Sequence, residues 1–299
     1  MNTFLVPIDF SRTSFCQLRT VRSLCGEDSR IDLVHVLDSG DAPSPESRSQ
    51  MNNHLRHLDG LLKGQNVKTC GRFLDGAYIA DVLEKEAERL DATAIVIGSH
   101  GHGALYETLF GSISRRLIAT SQHPLIVVPA KIPRTSTIVP CVCVAVDFGP
   151  KSQDLVAIAA HMAADCGAEL KLLHVVDRAL LGVSASCPEP DPELEDYVLA
   201  GARSRLQDHV KVLDRSASSL PVETEVRTGA VPEMLIDAAK SAEGILVLGS
   251  HGHGRAYNLL LGSIAQEVVR KASTPVVVVP FQEKTPEKRE DIINTSEAS

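Results

Sequence analysis

Tryptophan is absent from this 299-residue chain, and aromatic residues together make up only 4% of it. Hydrophobic residues still reach 43%, so any core must be built mainly from Val, Ile, Leu and Ala. Such cores are typical of buried parallel sheets that helices cover on both faces. The chain is also about twice the commonest domain size, which favours two domains.

Long apolar runs and clusters of basic residues are missing too. No stretch approaches the roughly 20 apolar residues that span a bilayer, and the N-terminal MNTFLVPIDF has no basic region before its apolar part. We therefore expect no membrane span, no secretion and a cytoplasmic location. A formal net charge of -8 argues against a broad nucleic-acid surface, which would need clustered Lys and Arg. Any bound phosphate would instead be held by backbone N–H groups and a metal ion.

Several familiar signatures do not occur. The chain has no G-x-x-x-x-G-K-[ST] loop and no G-x-G-x-x-G after its first strand, which disfavours a P-loop NTPase and a Rossmann dehydrogenase. Its seven cysteines include no C-x-x-C pair. We expect free thiols in a reducing cytoplasm, with Cys141 and Cys143 on one face of a predicted strand.

What the chain does contain is an internal repeat. FLVPIDFSRTS returns as VCVAVDFGPKS, and DLVHVLD returns as KLLHVVD. IVIGSHGHGALYETLFGSIS returns as LVLGSHGHGRAYNLLLGSIA, and HPLIVVPA returns as TPVVVVPF. Four landmarks in the same order indicate a duplication, whose copies we call repeat one and repeat two. They predict domains at 1–132 and 138–281, followed by a flexible tail at 282–299.

Strands and helices alternate within each repeat. The strands are short runs of Val, Ile and Leu, and the helices carry apolar residues at helical spacing. This alternation predicts right-handed parallel crossovers, and hence an α/β fold of two tandem doubly wound sheets. In repeat one the predicted strands are 3–9, 31–37, 66–73, 93–98 and 124–129, and the predicted helices are 12–25, 47–63, 77–90 and 112–121.

The ends of the strands carry the residues of interest. Open α/β sheets bind ligands beyond the carboxyl ends of the strands, where the strand order reverses. The first strand of each repeat ends at an aspartate, Asp9 or Asp147. A G-x-x-G turn follows the fourth strand, and nine residues later a Gly-Ser pair opens a helix, whose N-terminus attracts anions. These positions are Gly98, Gly101, Gly111 and Ser112 in repeat one, and Gly249, Gly252, Gly262 and Ser263 in repeat two.

Some of these polar residues also have simpler interpretations. Asp9 and Asp147 can cap the helix that follows each of them. His35 and His174 end buried strands and are typical of hydrogen-bonded core histidines rather than catalytic bases. The two His-Gly-His clusters favour a polar loop over a metal site. Three residues are predicted to form an exposed helix face: Glu84, Glu86 and Glu88.

The motifs resemble the universal stress protein family over nearly the whole chain, apart from the linker and the tail. The resemblance rests on the G-2x-G-9x-G-[ST] pattern, the GSHG pieces and the two His-Val pairs. It implies a five-stranded parallel sheet in the order 3-2-1-4-5 in each repeat. It also implies ATP, or ADP or AMP, at the switch point, often with Mg²⁺ or Mn²⁺. The last strands would pair the two repeats within the chain, and a homodimer of chains stays open.

The resemblance also implies roles for individual residues. Asp9 and Asp147 would contact the ribose, and Val36 and Val175 would offer backbone groups to adenine. In repeat one the residues around ribose and phosphates would be Gly98, Ser99, His100, Gly101, His102, Gly103, Gly111, Ser112, Ile113 and Ser114. In repeat two they would be Gly249, Ser250, His251, Gly252, His253, Gly254, Gly262, Ser263 and Ile264.

The two repeats differ at positions that bear on affinity. Ser114 has a hydroxyl to offer a phosphate, whereas repeat two has Ala265 at that position. Pro7 stands two residues before the first aspartate, where repeat two has Ala145. We predict two competent sites of unequal affinity, with repeat one favoured for the triphosphate.

The favoured function is a nucleotide-binding regulatory module of the stress response, with little or no hydrolysis. No general base stands at a recognisable spacing from the phosphate loop. The alternative is a weak ATPase or a nucleotidyl-transfer enzyme, but DFSRTS and DFGPKS stand where such an enzyme would carry a Ser-Gly-Gly-rich loop. A scaffold that binds partners without nucleotide is a third possibility, which the intact glycine signatures in both repeats disfavour.

Overall fold

A computed structural model of the chain describes residues 2–26, 28–37, 44–62, 68–99, 111–130, 139–182, 191–213, 220–251 and 261–281. Repeat one contains β1 (Thr3–Pro7), α1 (Arg12–Leu24), β2 (Arg30–Leu37), α2 (Pro45–Leu62), β3 (Lys68–Asp75), α3 (Ile79–Leu90), β4 (Ala94–Gly98), α4 (Ser112–Thr120) and β5 (Leu125–Val128). The linker, which the sequence predicts at 131–140, lies outside the described residues except for 139 and 140, and so does the predicted tail, 282–299.

Repeat two follows the same order of elements. It contains β6 (Cys141–Ala145), α5 (Ser152–Cys166), β7 (Glu169–Val176), α6 (Pro192–Lys211), β8 (Val222–Thr228), α7 (Val231–Ser241), β9 (Ile245–Gly249), α8 (Ser263–Lys271) and β10 (Val276–Val279). A short 3-10 helix, Arg178–Leu181, follows β7.

The ten strands form one sheet in the order β3-β2-β1-β4-β5-β10-β9-β6-β7-β8. Each repeat therefore has the order 3-2-1-4-5, and all of its strand pairs are parallel. The last strands of the repeats pair antiparallel, with Val277 opposite Ile126. This confirms the predicted fold class, and it also shows the expected pairing of the two repeats within the chain.

Both faces of the sheet are covered by helices. One apolar cluster joins alternate strand residues to α1, α2, α5 and α6, and another joins the remaining ones to α3, α4, α7 and α8. Strand residues such as Leu5, Ile31, Ile95 and Leu172 are completely buried. Burying one such side chain is worth about 1.5–3 kcal/mol, so these strands anchor the fold and hold their carboxyl ends in place. Among the helices in the described ranges, none combines the length and apolarity needed to cross a bilayer.

The prediction of an exposed glutamate face on α3 is wrong for Glu86 and holds for Glu88. Glu86 is only 7% exposed, and its carboxylate contacts Arg72 at 2.8 Å and Arg89 at 2.8 Å. Glu84 is half-buried, and its Oε1 lies 2.7 Å from His123 Nδ1. Arg72 of the neighbouring β3 causes the difference for Glu86. It forms an ion pair with a carboxylate that the sequence pattern places on the surface.

Candidate functional site

A cavity of about 320 Å³ lies at the carboxyl ends of β1, β2 and β4, beside the first turn of α4. It occupies the point in repeat one where the strand order reverses, since β1 lies between β2 and β4. Its lining combines backbone of strand ends with apolar side chains of α3. The residues of the predicted set that line it are Asp9, Val36, Gly98, Gly111, Ser112, Ile113 and Ser114.

Asp9 stands in a turn that connects β1 to α1. Its Oδ1 accepts hydrogen bonds from Ser11 N at 2.9 Å and from the Ser14 hydroxyl at 2.8 Å. Phe10 adopts the left-handed region with φ 60°, a conformation that costs a non-glycine residue about 1–2 kcal/mol. Strain of this kind persists where surrounding contacts over-determine it, which is common at functional sites.

Repeat two builds the same turn from different residues. Asp147 Oδ1 accepts from Gly149 N at 2.8 Å and from the Ser152 hydroxyl at 2.7 Å, and Phe148 has φ 63°. The two aspartates therefore tie the strand end to the helix that follows, as the capping interpretation expects. Because Asp9 also lines the cavity, capping leaves its ligand-binding role possible.

The two strand-end histidines are held in the same way. His35 Nδ1 lies 2.6 Å from Ile8 O, and His174 Nδ1 lies 2.7 Å from Val146 O. A carbonyl can only accept, so Nδ1 is the protonated nitrogen in both rings. Each ring also packs against the strained phenylalanine, with centroids 4.8 Å apart for Phe10 and His35. The predicted hydrogen bonds are present, but both histidines are half-buried rather than in the core, and His35 also lines the cavity.

The ends of the glycine loop meet in both repeats. Gly111 N donates to Ser99 O at 3.3 Å, and Gly262 N donates to Ser250 O at 2.8 Å. Each of these glycines is the N-cap of a nine-residue helix whose cap provides no side-chain hydrogen bond. The first N–H groups and the positive dipole end of α4 therefore face the cavity region.

Ser114 has a different partner from the one we expected. Its hydroxyl, buried in the first turn of α4, donates to Gly98 O at 2.7 Å. In this arrangement the hydroxyl proton of Ser114 is used in a hydrogen bond to the backbone, so it is not available to a phosphate oxygen. Ala265, which is also buried in the corresponding turn of α8, cannot make that bond. The difference between the repeats is real, but its direct effect is on how the loop is anchored.

Not every predicted site residue can be placed. Ser99 is buried and its N–H donates to Val128 O, and Ser250 N–H donates to Val279 O, each at 2.8 Å. Val175 is buried, while Ser263 and Ile264 are exposed at the start of α8. Ser250 Oγ lies 3.0 Å from His251 Nδ1. The remaining predicted residues, His100, Gly101, His102, Gly103, Gly252, His253 and Gly254, lie outside the described residues.

Sequence reasoning missed several residues that line the cavity. Gln17 and Thr13 reach it from α1, and Ile79 and Leu83 reach it from α3. A signal was available for Gln17, because it falls at helical spacing from Val21 and Leu24 on the buried face of α1. A polar residue at such a position needs a hydrogen-bond partner, which here lies at the strand ends.

The comparisons with known proteins agree with this architecture. A sequence model described as the universal stress protein family matches residues 1–129 and 141–280. The chain belongs to the universal stress protein family. It is a tandem member, since each repeat gives its own match.

Relatives and solved structures extend the same conclusion. A universal stress protein of Mycolicibacterium smegmatis is 30% identical over 291 residues, covering 92% of this chain and 96% of the relative. A universal stress protein of Mycobacterium tuberculosis H37Rv is 32% identical over 197 residues, 63% of this chain and 62% of the relative. The crystal structure of a universal stress protein from Archaeoglobus fulgidus has a TM-score of 0.65 at 20% identity, covering 93% of this chain and 98% of that one. At that identity the structural match supports the fold alone.

Proposed function

We propose that this tandem universal stress protein binds an adenine nucleotide (ATP, ADP or AMP) in each repeat, and acts as a regulatory stress-response module. The observation that carries the proposal is the convergence of the predicted residues of repeat one on one cavity. Strand ends, the N-cap Gly111 and the aspartate of the first strand come from distant parts of the chain and line the same space. The units of binding would be the two domains at 1–132 and 138–281.

Each part of the cavity suits a part of a nucleotide. Asp9 is a hydrogen-bond acceptor for ribose hydroxyls, and the backbone at Val36 offers groups for the edge of adenine. The start of α4 at Ser112 presents N–H groups and a positive dipole to phosphates. In repeat two, Asp147, Val175 and the start of α8 would do the same.

A divalent ion would enter with the nucleotide. Mg²⁺ is usually held by one or two carboxylates together with phosphate oxygens. Asp9 is the carboxylate that lines the cavity, and the described part of the chain has no group of three His, Cys, Asp or Glu side chains suited to a metal. Mg²⁺ or Mn²⁺ would therefore depend on the phosphates for most of its ligands.

Binding is favoured over rapid hydrolysis. Among the described residues that line the cavity there is neither Lys nor Arg to stabilise charge on a transferred phosphoryl group. Asp9 Oδ1 already accepts two hydrogen bonds, from Ser11 N and from the Ser14 hydroxyl. A weak ATPase stays the alternative, and ATP turnover well above that of a site variant would support it.

The experiment is to denature the purified protein with acid and to identify any released nucleotide by chromatography, with its amount per chain. We expect adenine nucleotide near one or two per chain, and its loss in the double variant Gly111→Val plus Gly262→Val. The matched control is Gly60→Val plus Gly201→Val, since a Cβ added at either helical glycine meets no atom within 4 Å. Absence of nucleotide, with no uptake of ATP and Mg²⁺, would contradict the proposal and favour a partner-binding scaffold.

A further inference from the structure

The two central strands separate one residue earlier in repeat one than in repeat two. The pairing of β1 with β4 ends with Leu5 opposite Ile95. The pairing of β6 with β9 continues for one more position, with Val144 opposite Val247. The ladder between the two central strands is therefore one position shorter at the cleft of repeat one.

Pro7 accounts for the early separation. Ile8 N–H donates to Val34 O on β2 at 2.7 Å. Backbone groups alternate in direction along a strand, so the nitrogen and carbonyl of Pro7 face β4 on the other side. Proline has no N–H to donate, and the ladder toward β4 stops there. Ala145, at this position in repeat two, has the N–H that continued pairing requires.

Gln17 bridges the gap that Pro7 leaves. In the orientation of its carboxamide that satisfies both neighbours, Nε2 donates to Pro7 O at 3.2 Å and Oε1 accepts from Gly98 N at 2.5 Å. The side chain is 6% exposed and lines the cavity. It thus joins the two strand ends where the backbone ladder does not. In repeat two the corresponding residue is Leu155, which is buried and cannot form these bonds.

The carboxamide retains hydrogen-bonding capacity for a ligand. Its amide has two N–H donors and its oxygen has two acceptor positions, and the strand ends use one of each. One donor and one acceptor are therefore left on a side chain at the floor of the cavity. A hydroxyl group, which both donates and accepts, is the simplest ligand group that matches such a pair.

We infer that Gln17 is a specificity-determining residue of repeat one, which binds a hydroxyl of the ligand's sugar at the floor of the cleft. Leu155 gives repeat two an apolar floor without that contact. Repeat one therefore discriminates more strongly than repeat two against a nucleotide that lacks this hydroxyl. This inference rests on the proposed nucleotide binding, and it adds a residue and a selectivity that differ between the two sites.

The first test needs no change at Gln17. Gly262→Val disables the site of repeat two, so that repeat one can be titrated alone. Gly111→Val disables the site of repeat one, so that repeat two can be titrated alone. ATP, 2′-deoxy-ATP and 3′-deoxy-ATP are titrated into each variant with Mg²⁺ by calorimetry. At repeat one we expect one of the deoxynucleotides to bind about tenfold more weakly than ATP, as the loss of a buried hydrogen bond predicts. At repeat two, where Asp147 is proposed to contact the ribose but Leu155 offers no hydrogen bond, we expect the same deoxynucleotide to lose clearly less affinity.

The second test changes the residue itself. Gln17→Met keeps the length of the side chain but removes its donors and acceptors, and it should reduce the preference at repeat one to the level of repeat two. Ala145→Pro with Leu155→Gln transplants the bridge and should raise the preference at repeat two toward that of repeat one, which a merely structural role would not do. Thermal unfolding of each variant confirms that it is folded.

The outcomes separate this inference from the proposed function. ATP binding at both repeats with a loss for the deoxynucleotides that is no greater at repeat one than at repeat two would overturn the role of Gln17 alone. A preference that is undiminished in folded Gln17→Met would do the same. Failure of the unaltered chain to bind any of the three nucleotides would overturn the proposed function, and this inference with it.

Discussion

The Ser14 hydroxyl donates a 2.8 Å hydrogen bond to Asp9 Oδ1, and the same pairing recurs at 2.7 Å between Ser152 and Asp147. Each bond joins the turn after the first strand to the first turn of a helix. The surrounding residues differ between the repeats, but the left-handed phenylalanine after the aspartate is kept. The aspartate at the cavity is therefore held by the fold before any ligand arrives.

Removal of the Ser14 hydroxyl tests how firmly this turn is held. We expect Ser14→Ala to lower the free energy of unfolding by about 1 kcal/mol, because Oδ1 of the half-buried Asp9 loses one of its donors. Denaturant unfolding measures the change. Ser204→Ala, at an exposed position of α6, is the control and should change the free energy little. Equal effects of the two substitutions would contradict a role for the Ser14 bond.

A buried ion-pair cluster joins β2, β3 and α3 in repeat one. Asp32 is completely buried and contacts Arg30 at 2.5 Å and Arg72 at 2.6 Å. We expect Asp32→Asn to cost about 3 kcal/mol, because it leaves cationic groups without their buried partner. Chemical denaturation of Asp32→Asn beside Asp196→Asn, an exposed position, measures this. A loss no larger than the control's would show that the arginines find other partners.

Repeat two reverses the charges of this cluster. Lys171 occupies the position of Asp32, and its Nζ lies 3.0 Å from Glu223 and 3.2 Å from Glu225. The same sheet edge is thus held by a central anion in one repeat and a central cation in the other. An exchange of single residues between the repeats would place like charges together at this edge.

Glu86 makes the stability of repeat one depend on pH. Its hydrogen bond with Arg89 lowers the pKa of the Glu86 carboxyl below its ordinary value of 4.5, with Arg72 adding to the effect. A lowered folded pKa means that this contribution is complete above about pH 4.5 and is lost as the pH falls through the folded pKa. We expect the free energy of unfolding to fall less steeply between about pH 5 and pH 3 in Glu86→Gln than in the unaltered protein.

The control for that comparison lies two residues along the same helix. Glu88 is exposed, so Glu88→Gln should leave the pH dependence as it is. Coincident pH profiles for Glu86→Gln and the unaltered chain would contradict the assignment.

Cys25 should resist alkylation in the folded protein. Burial raises the pKa of its thiol to about 11, and the thiolate is the reactive form. We expect iodoacetamide at pH 8 to leave Cys25 unmodified in the native state and to modify it fully in denaturant, as measured by peptide mass spectrometry. Rapid native labelling at pH 8 would show that the thiol is more accessible than its surroundings indicate.

The fold was predictable because its strands are continuous runs of Val, Ile and Leu that repeat in the same order. The missed features share a different cause. Glu86 and Gln17 both lie at helical spacing on buried faces, with Leu83 and Leu90 beside the first and Val21 beside the second. What makes a buried polar residue acceptable is a partner distant in sequence, Arg72 for Glu86 and the β1 and β4 ends for Gln17. Local pattern shows the face of a helix but does not show that partner.

The Ser114 bond to Gly98 separates two explanations for unequal affinity between the repeats. A direct contact of the hydroxyl with a terminal phosphate predicts that Ser114→Ala weakens ATP binding much more than AMP binding. The observed 2.7 Å bond to the Gly98 carbonyl favours an anchoring role, in which the loop start loosens and both nucleotides weaken together, by about threefold to tenfold. Calorimetry with ATP and AMP on Ser114→Ala, with Ala265→Ser as the reciprocal change, measures the two losses. A loss confined to ATP would restore the direct phosphate contact, whereas parallel losses would mean that Ser114 supports binding by joining the end of β4 at Gly98 to the first turn of α4.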